Sequence, residues 1–158
     1  MVYVTTSRKP SLTTRRLAKE LARALRAESE NRGKRSVQEI LERAEAKGHS
    51  RCLLIYEDNG NPSKLCFLEK GKWLPCLLLK GISFAEAEEK QGKKRRLPGV
   101  SKTIAEDAEG REMAGLFEEC VNEEIGEGVE IKANKNEISF WLARERVGPV
   151  LKIKGVEE

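Results

Sequence analysis

Aromatic side chains make up only 5% of this 158-residue chain, which also has a single histidine, His49, and only two aspartates, Asp58 and Asp107. So few aromatics argue against an exposed platform of stacked bases as the main mode of any nucleic-acid contact. The lone histidine and the absence of C-x-x-C spacing among Cys52, Cys66, Cys76 and Cys120 argue against a metal centre. No Ser/His/Asp set, paired carboxylates in a recognisable pocket, or phosphate-binding glycine loop occurs. The chain is therefore not expected to be an enzyme or to take a cofactor or small-molecule substrate. His49, just past a helix end, reads as a surface residue rather than a general base. No apolar run approaches the roughly 20 residues needed to span a bilayer, and no N-terminal stretch resembles a signal peptide, so a cytoplasmic protein without a membrane partner is expected.

What is abundant is charge. Charged residues make up 35% of the chain and hydrophobic ones 39%, a composition suited to a folded domain with an ionic surface. Glutamate, lysine and arginine dominate while glutamine is limited to Gln38 and Gln91, a pattern found in thermophile proteins. The net charge of +4 conceals a polarity. Residues 1–35 hold ten Lys or Arg against three Glu, net +7, whereas residues 103–130 hold one Arg against ten acids, net −9. A polyanion would be drawn to the first segment and repelled by the second.

The alternation of Val2 and Val4 with Tyr3 and Thr5 predicts a short strand. Pro10 stops it, and Ser11 or Thr13 can cap a helix in which Leu17, Leu21 and Leu25 form an apolar stripe. Arg16, Lys19, Arg23 and Arg26 recur at helical spacing on the opposite face. Ser36 and Glu39 form an S-x-x-E capping box for a second helix with Val37, Ile40, Leu41 and Ala44 inward and Gly48 at its end. Cys52 to Tyr56 reads as a strand covered on both faces. Asp58 to Pro62 makes a turn, and strands follow at about 64–69 and 73–82, joined by Lys70-Gly71-Lys72. In such a hairpin Cys66 and Cys76 either face each other closely enough to bond or, with a two-residue loop, fall out of register and stay free. Residues 85–102 are polar and mark a boundary. Beyond them a helix at 111–124, ended by Gly126 and Gly128, is followed by strands at 129–133, 137–144 and 150–154. Helices followed by three strands thus occur twice. This predicts an α/β (α+β) protein of two similar lobes, about 1–84 and 103–158, within a single domain spanning 1–158.

Several segments are similar to the motifs of the Brix-domain family of ribosome-assembly proteins, in its short single-domain archaeal form. They are Thr5-Thr6-Ser7-Arg8-Lys9-Pro10-Ser11 with Arg15, then Asn31-Arg32-Gly33-Lys34, then Gly60-Asn61-Pro62, and finally Gly148-Pro149. Two positions depart from it: Gly71-Lys72-Trp73 stands where many relatives have Gly-Pro, and Val150 replaces an arginine. The resemblance implies two halves, each with helices on a small mixed sheet like the anticodon-binding domain of class II aminoacyl-tRNA synthetases. It also implies binding of rRNA or pre-rRNA during subunit assembly, without enzymatic activity. Ser7, Arg8, Lys9, Arg15, Arg32 and Lys34 occupy motif positions.

Guanidinium forks and lysine point charges suit phosphate oxygens, which adds Arg16 and Arg35 to those candidates, with a helix start at 11–15 supplying free N–H groups. Lys93, Lys94, Arg95 and Arg96 form a second basic run that either meets nucleic acid or is simply a solvated segment. The aromatics mostly suit a core, with Trp73, at a hairpin edge, the exception to test. The Gly60 turn reads first as a turn. The rival to RNA binding is a module docking to another assembly factor or a ribosomal protein, its basic arm meeting an acidic partner and its acidic segment a basic one.

Overall fold

In the computed structural model, residues 2–84 and 96–158 are described. The chain runs β1 (Val2–Thr6), α1 (Leu12–Leu25), β2 (Glu28–Ser29), α2 (Val37–Ala46), β3 (Arg51–Asp58), β4 (Asn61–Glu69), β5 (Lys72–Trp73) and β6 (Cys76–Phe84). It continues with β7 (Val100–Ala105), α3 (Ala108–Leu116), β8 (Val129–Ala133), β9 (Glu137–Leu142) and β10 (Glu145–Glu157). The strands form one mixed sheet in the order β2-β1-β3-β4-β6-β10-β9-β8-β7, with β5 paired to β4.

Each half builds the same pairing series. β1 lies parallel to β3 across a helical crossover, and β3-β4-β6 continues antiparallel. β7 lies parallel to β8 across α3, and β8-β9-β10 continues antiparallel. The two small sheets expected from the sequence are continuous, because the last strands of the halves, β6 and β10, pair antiparallel from Cys76 to Phe84 and from Pro149 to Glu157. Each last strand would otherwise expose a row of unpaired amides and carbonyls, and their union removes both edges.

The larger core lies on the α1 side of the sheet. Leu17, Leu21 and Leu25 pack with Val4, Leu53, Ile55 and Phe67, and Phe117 bridges the halves edge-on to Phe67 at 5.4 Å and to Phe140 at 6.4 Å. On the other face Ile40 and Ala44 of α2 cover Tyr3, Cys52 and Leu54. Alternate residues of the apolar run in β3 therefore serve different cores, as a strand covered on both faces requires. Arg51 ties the halves further: buried at the start of β3, it donates to the Leu116 carbonyl at 2.8 Å and to Glu69 at 3.1 Å.

The local signals of the first half are realised. Ser11 caps α1, its hydroxyl accepting from the Thr14 amide, and Ser36 and Glu39 form both hydrogen bonds of the capping box. In the second half the helix is shorter and earlier than 111–124. Asp107 caps it by accepting from the Gly110 amide at 2.6 Å, and after Phe117 the chain makes a 3-10 turn, Glu118–Cys120, before Val121 bridges to Val100. The helix thus ends ten residues ahead of Gly126. β7 overlaps the polar boundary expected at 85–102; it is an edge strand with Lys102 paired to Glu130, so it lacks strong apolar alternation. His49, expected at the surface, is buried instead. It is 6% exposed, with its ring 5.6 Å from Tyr3 and its Nε2 3.3 Å from Glu28.

Cys66 and Cys76 are bonded to each other. The loop is the two-residue one, Lys70-Gly71, which pairs Leu68 with Trp73. A break at Leu74-Pro75 then inserts one residue, so that Leu65 faces Leu77 and the two cysteines come opposite. Gly148 and Pro149 lie within β10, where its register against β9 shifts between Val147 and Leu151. Gly148 has φ +64°, and a Cβ there would stand 3.2 Å from Ala24, so this glycine lets α1 close onto the sheet.

Candidate nucleic-acid interface

Parallel β1 and β3 end side by side, and α1 starts directly beyond them. The carboxyl ends of parallel strands, beside a helix start, are where open α/β sheets hold ligands. Three of the four motif segments meet there. The arm leaves β1 with the Ser7 amide donating to the Ile55 carbonyl at 2.9 Å and turns at Lys9, whose φ is +51°. The segment entering Asn31 is held beside it, with the Glu30 amide donating to the Val4 carbonyl at 3.1 Å and the Thr5 hydroxyl to the Glu30 carbonyl at 2.8 Å. The Asn59-Gly60 turn, both residues with positive φ, closes the third side, and the Ser11 hydroxyl donates to the Gly60 carbonyl at 2.7 Å. The fourth motif, Gly148-Pro149, lies away from this end, against the last turns of α1.

The sequence-predicted cations divide by environment. Arg8, Lys9, Arg15 and Lys34 are exposed and form no ion pair among the described residues. Arg16 is half-buried, its guanidinium 3.9 Å above the ring of Phe84. Arg32 is 8% exposed and donates from Nε to the Arg35 carbonyl at 3.0 Å, so its stem braces the loop that presents Lys34. Arg35 sits 3.4 Å from Glu30, which also pairs with Arg43 and Lys47. Burial works to raise the Glu30 pKa, but hydrogen bonds from Arg43 and Lys47 bring it below its ordinary value. The Ser7 hydroxyl is enclosed and has no hydrogen-bond partner among the described residues. Arg96 is exposed, whereas Lys93, Lys94 and Arg95 lie outside the described residues. Trp73 is half exposed on the β4–β5 hairpin.

The helix start is less open to an anion than the sequence suggests. Glu57, at the end of β3, accepts from the Ser11 amide at 3.0 Å and from the Thr14 hydroxyl at 2.6 Å, and the Thr14 amide is already taken by Ser11. The protein thus supplies its own carboxylate to the positive end of α1. No local pattern announces a partner 46 residues away in sequence. The hydrogen bonds from Thr14 and Ser11 hold the Glu57 pKa below its ordinary 4.5. A lowered folded-state pKa gives stability that is present above the unfolded value and lost as pH falls through the folded one. In Glu57→Gln, the deficit in melting temperature relative to the parent should be largest near neutral pH and close below about pH 4.5, which thermal unfolding across the acid range measures.

Lys19 was legible only as part of the basic face of α1. It stands one turn beyond Arg15, and both line a groove of about 150 Å³ with Thr6, Ser29, Asn31 and Glu30, whose carboxylate is held by Arg35, Arg43 and Lys47. This groove runs between α1 and the Asn31 loop. It places two uncompensated cations opposite hydroxyl and amide groups, the donors that phosphate and ribose oxygens accept from. Leu12, 82% exposed in the first turn of α1, stands between the arm and this cationic row.

Comparison with known proteins gives this geometry a family context. The chain is 42% identical over 69 residues to a probable Brix domain-containing ribosomal biogenesis protein of Methanosarcina barkeri, a match covering 44% of this chain and 42% of the relative. It is 43% identical over 72 residues to the protein so described in Archaeoglobus fulgidus, covering 46% and 44% respectively. The resemblance to the Brix family holds. No family model matches the chain. The matched segments span about two fifths of the length of these Brix-domain relatives. In fold, the likeness extends over 98% of the chain. A probable ribosomal biogenesis protein of Aeropyrum pernix superposes with a TM-score of 0.79 at 24% identity, covering 95% of that protein. Mil, an archaeal Imp4-like protein, superposes with a TM-score of 0.74 at 23% identity, covering 98% of it.

Proposed function

We propose that this chain is a ribosome-assembly factor that binds rRNA or its precursor through the end of the molecule where β1 and β3 stop and α1 begins. The observation that carries this reading is the convergence of three separate motif segments on one surface, where Arg8, Lys9, Arg15, Lys19 and Lys34 form no ion pair among the described residues. Arg43, Lys47, Arg51, Lys64, Lys102 and Arg146, by contrast, are held in ion pairs. The contact is mostly to phosphates, so it is read as shape and charge rather than base sequence. The matching pairing series of the two halves supports descent from one duplicated unit, akin to a synthetase anticodon-binding domain. The role is non-enzymatic and cytoplasmic, and the Glu- and Lys-rich composition suits a thermophilic archaeon.

The test is a salt titration of affinity for rRNA fragments. If four or five cations meet phosphates, the plot of log affinity against log salt should fall with a slope of about −3 to −4. A flat plot would sink the phosphate-contact reading.

One observation favours protein docking at another site. A groove of about 630 Å³ at the opposite end of β1 is lined by Val2, Leu25, Val121 and Ile125 together with Glu119, Glu123 and Glu124, against one cation, Arg26. An acidic and apolar groove suits a basic segment of another assembly factor or a ribosomal protein. A complex formed there should survive ribonuclease treatment, whereas one bridged by RNA should not.

A further inference from the structure

Among the described residues only two large apolar side chains are strongly exposed, Leu12 and Trp73. Trp73 faces Leu68 across the β4–β5 pair, which puts its indole on the sheet face that α2 covers farther along. Tyr56 of β3 shares that face, with its ring centre 6.5 Å from the indole and the planes inclined at 53°. The hairpin bearing Trp73 is short, but its geometry is fixed. Lys70 and Gly71 both take the left-handed conformation at the tip, and the Cys66–Cys76 bond closes the base.

The surroundings are cationic. Lys70 and Lys72 precede Trp73 on the hairpin and are exposed, while Lys64 faces Tyr56 across β3 and β4. Two acids of the neighbouring strands are engaged, Glu69 by Arg51 at 3.1 Å and Glu157 by Lys64 at 3.4 Å, while Glu45 lines a groove with Lys70. Trp141, the other tryptophan, differs: Lys132 and Arg146 lie 4.5 and 5.1 Å from its ring centre. Tyr56 also directly follows Ile55, whose carbonyl anchors Ser7. Tyr56 therefore sits beside the root of the basic arm, while Trp73, whose partner Leu68 faces Cys52 near the start of β3, reaches it from the opposite end of that strand.

We infer that Tyr56 and Trp73 form a stacking platform for an unpaired base, so that RNA held at the basic arm is single-stranded where it crosses the β4–β5 hairpin. The inference rests on the reading of that end as an RNA site. An aromatic face accepts a base only when it is unstacked from its neighbours, whereas phosphate contacts are available to duplex and single strand alike. Platform and arm thus respond differently to strandedness.

The experiment measures affinity of the full chain for a short oligoadenylate and for an RNA duplex of equal length, at one salt concentration. Trp73→Ala should weaken oligoadenylate binding on the order of 10-fold and leave duplex binding unchanged, while Trp73→Phe keeps most of the affinity. In a Trp141→Phe background, oligoadenylate should quench the remaining tryptophan fluorescence. Equal losses on both RNAs, or no loss on either, would overturn the platform. If Trp73→Ala has no effect while Arg8, Lys9 and Arg15 substitutions do, the arm stands and the platform falls. If the parent binds neither RNA, the reading of the whole end falls.

Discussion

Replacement of Arg8, Lys9 and Arg15 together by alanine is expected to weaken binding to rRNA fragments on the order of 100-fold, at about 1 kcal/mol for each exposed cation. The same change should flatten the salt dependence by about 2 to 3 in log–log slope. Folding should scarcely respond. All three side chains are exposed and form no ion pair among the described residues, and surface substitutions of this kind stay within about 0.5 kcal/mol each. The choice of these three matters. Arg16 stacks on Phe84 and Arg32 braces its loop, so alanine at either position would confuse lost packing with lost phosphate contact. Binding isotherms at several salt concentrations, with a melting curve for each variant, check both halves of the expectation.

Gly110→Ala is expected to be the most damaging conservative change in the fold. A Cβ at this position would stand 2.0 Å from the Ala133 carbonyl oxygen and 2.7 Å from its carbon. Both atoms are backbone of β8, and the Glu106 amide already donates to that same oxygen at 2.9 Å, so neither α3 nor the strand can yield cheaply. The loss should be about 3–5 kcal/mol, the upper range for overpacking against backbone. For a chain of this size that lowers the melting temperature by about 10 °C or more. Gly115→Ala in the same helix provides the control. Nothing lies within 4 Å of its added methyl, so it should stabilise by about 0.5–1 kcal/mol through helix propensity. Thermal unfolding of the two variants should therefore move in opposite directions.

What the sequence revealed follows the range over which each signal acts. The Ser36–Glu39 capping box, the Ser11 cap and the apolar run of β3 are settled within a few residues, and each is present in the fold. The convergence of the Ser7, Asn31 and Gly60 segments was foreshadowed by their family resemblance, but their juxtaposition depends on β1 pairing with β3, which no local pattern encodes. Edge strand β7 escaped notice because Lys102 and Thr103 interrupt its apolar residues, and an edge strand can do without the alternation a central one needs. The pairing of Cys66 with Cys76 turned on one extra residue at Leu74-Pro75, too fine a detail for hairpin spacing alone. Glu57 and His49 were misjudged or missed for the same reason. Their partners, Ser11 and Tyr3, stand 46 residues away in sequence in each case.

The central claim is that the basic end of the molecule, and not its acidic end, holds ribosomal RNA. Ultraviolet crosslinking of the protein in its native cells tests it most directly, with sequencing of the attached RNA and mapping of the crosslinked peptides. The expected result is rRNA or pre-rRNA attached to peptides from residues 7–35, with a further crosslink at Trp73. Crosslinks confined to residues 103–130, or RNA of no ribosomal origin, would contradict it.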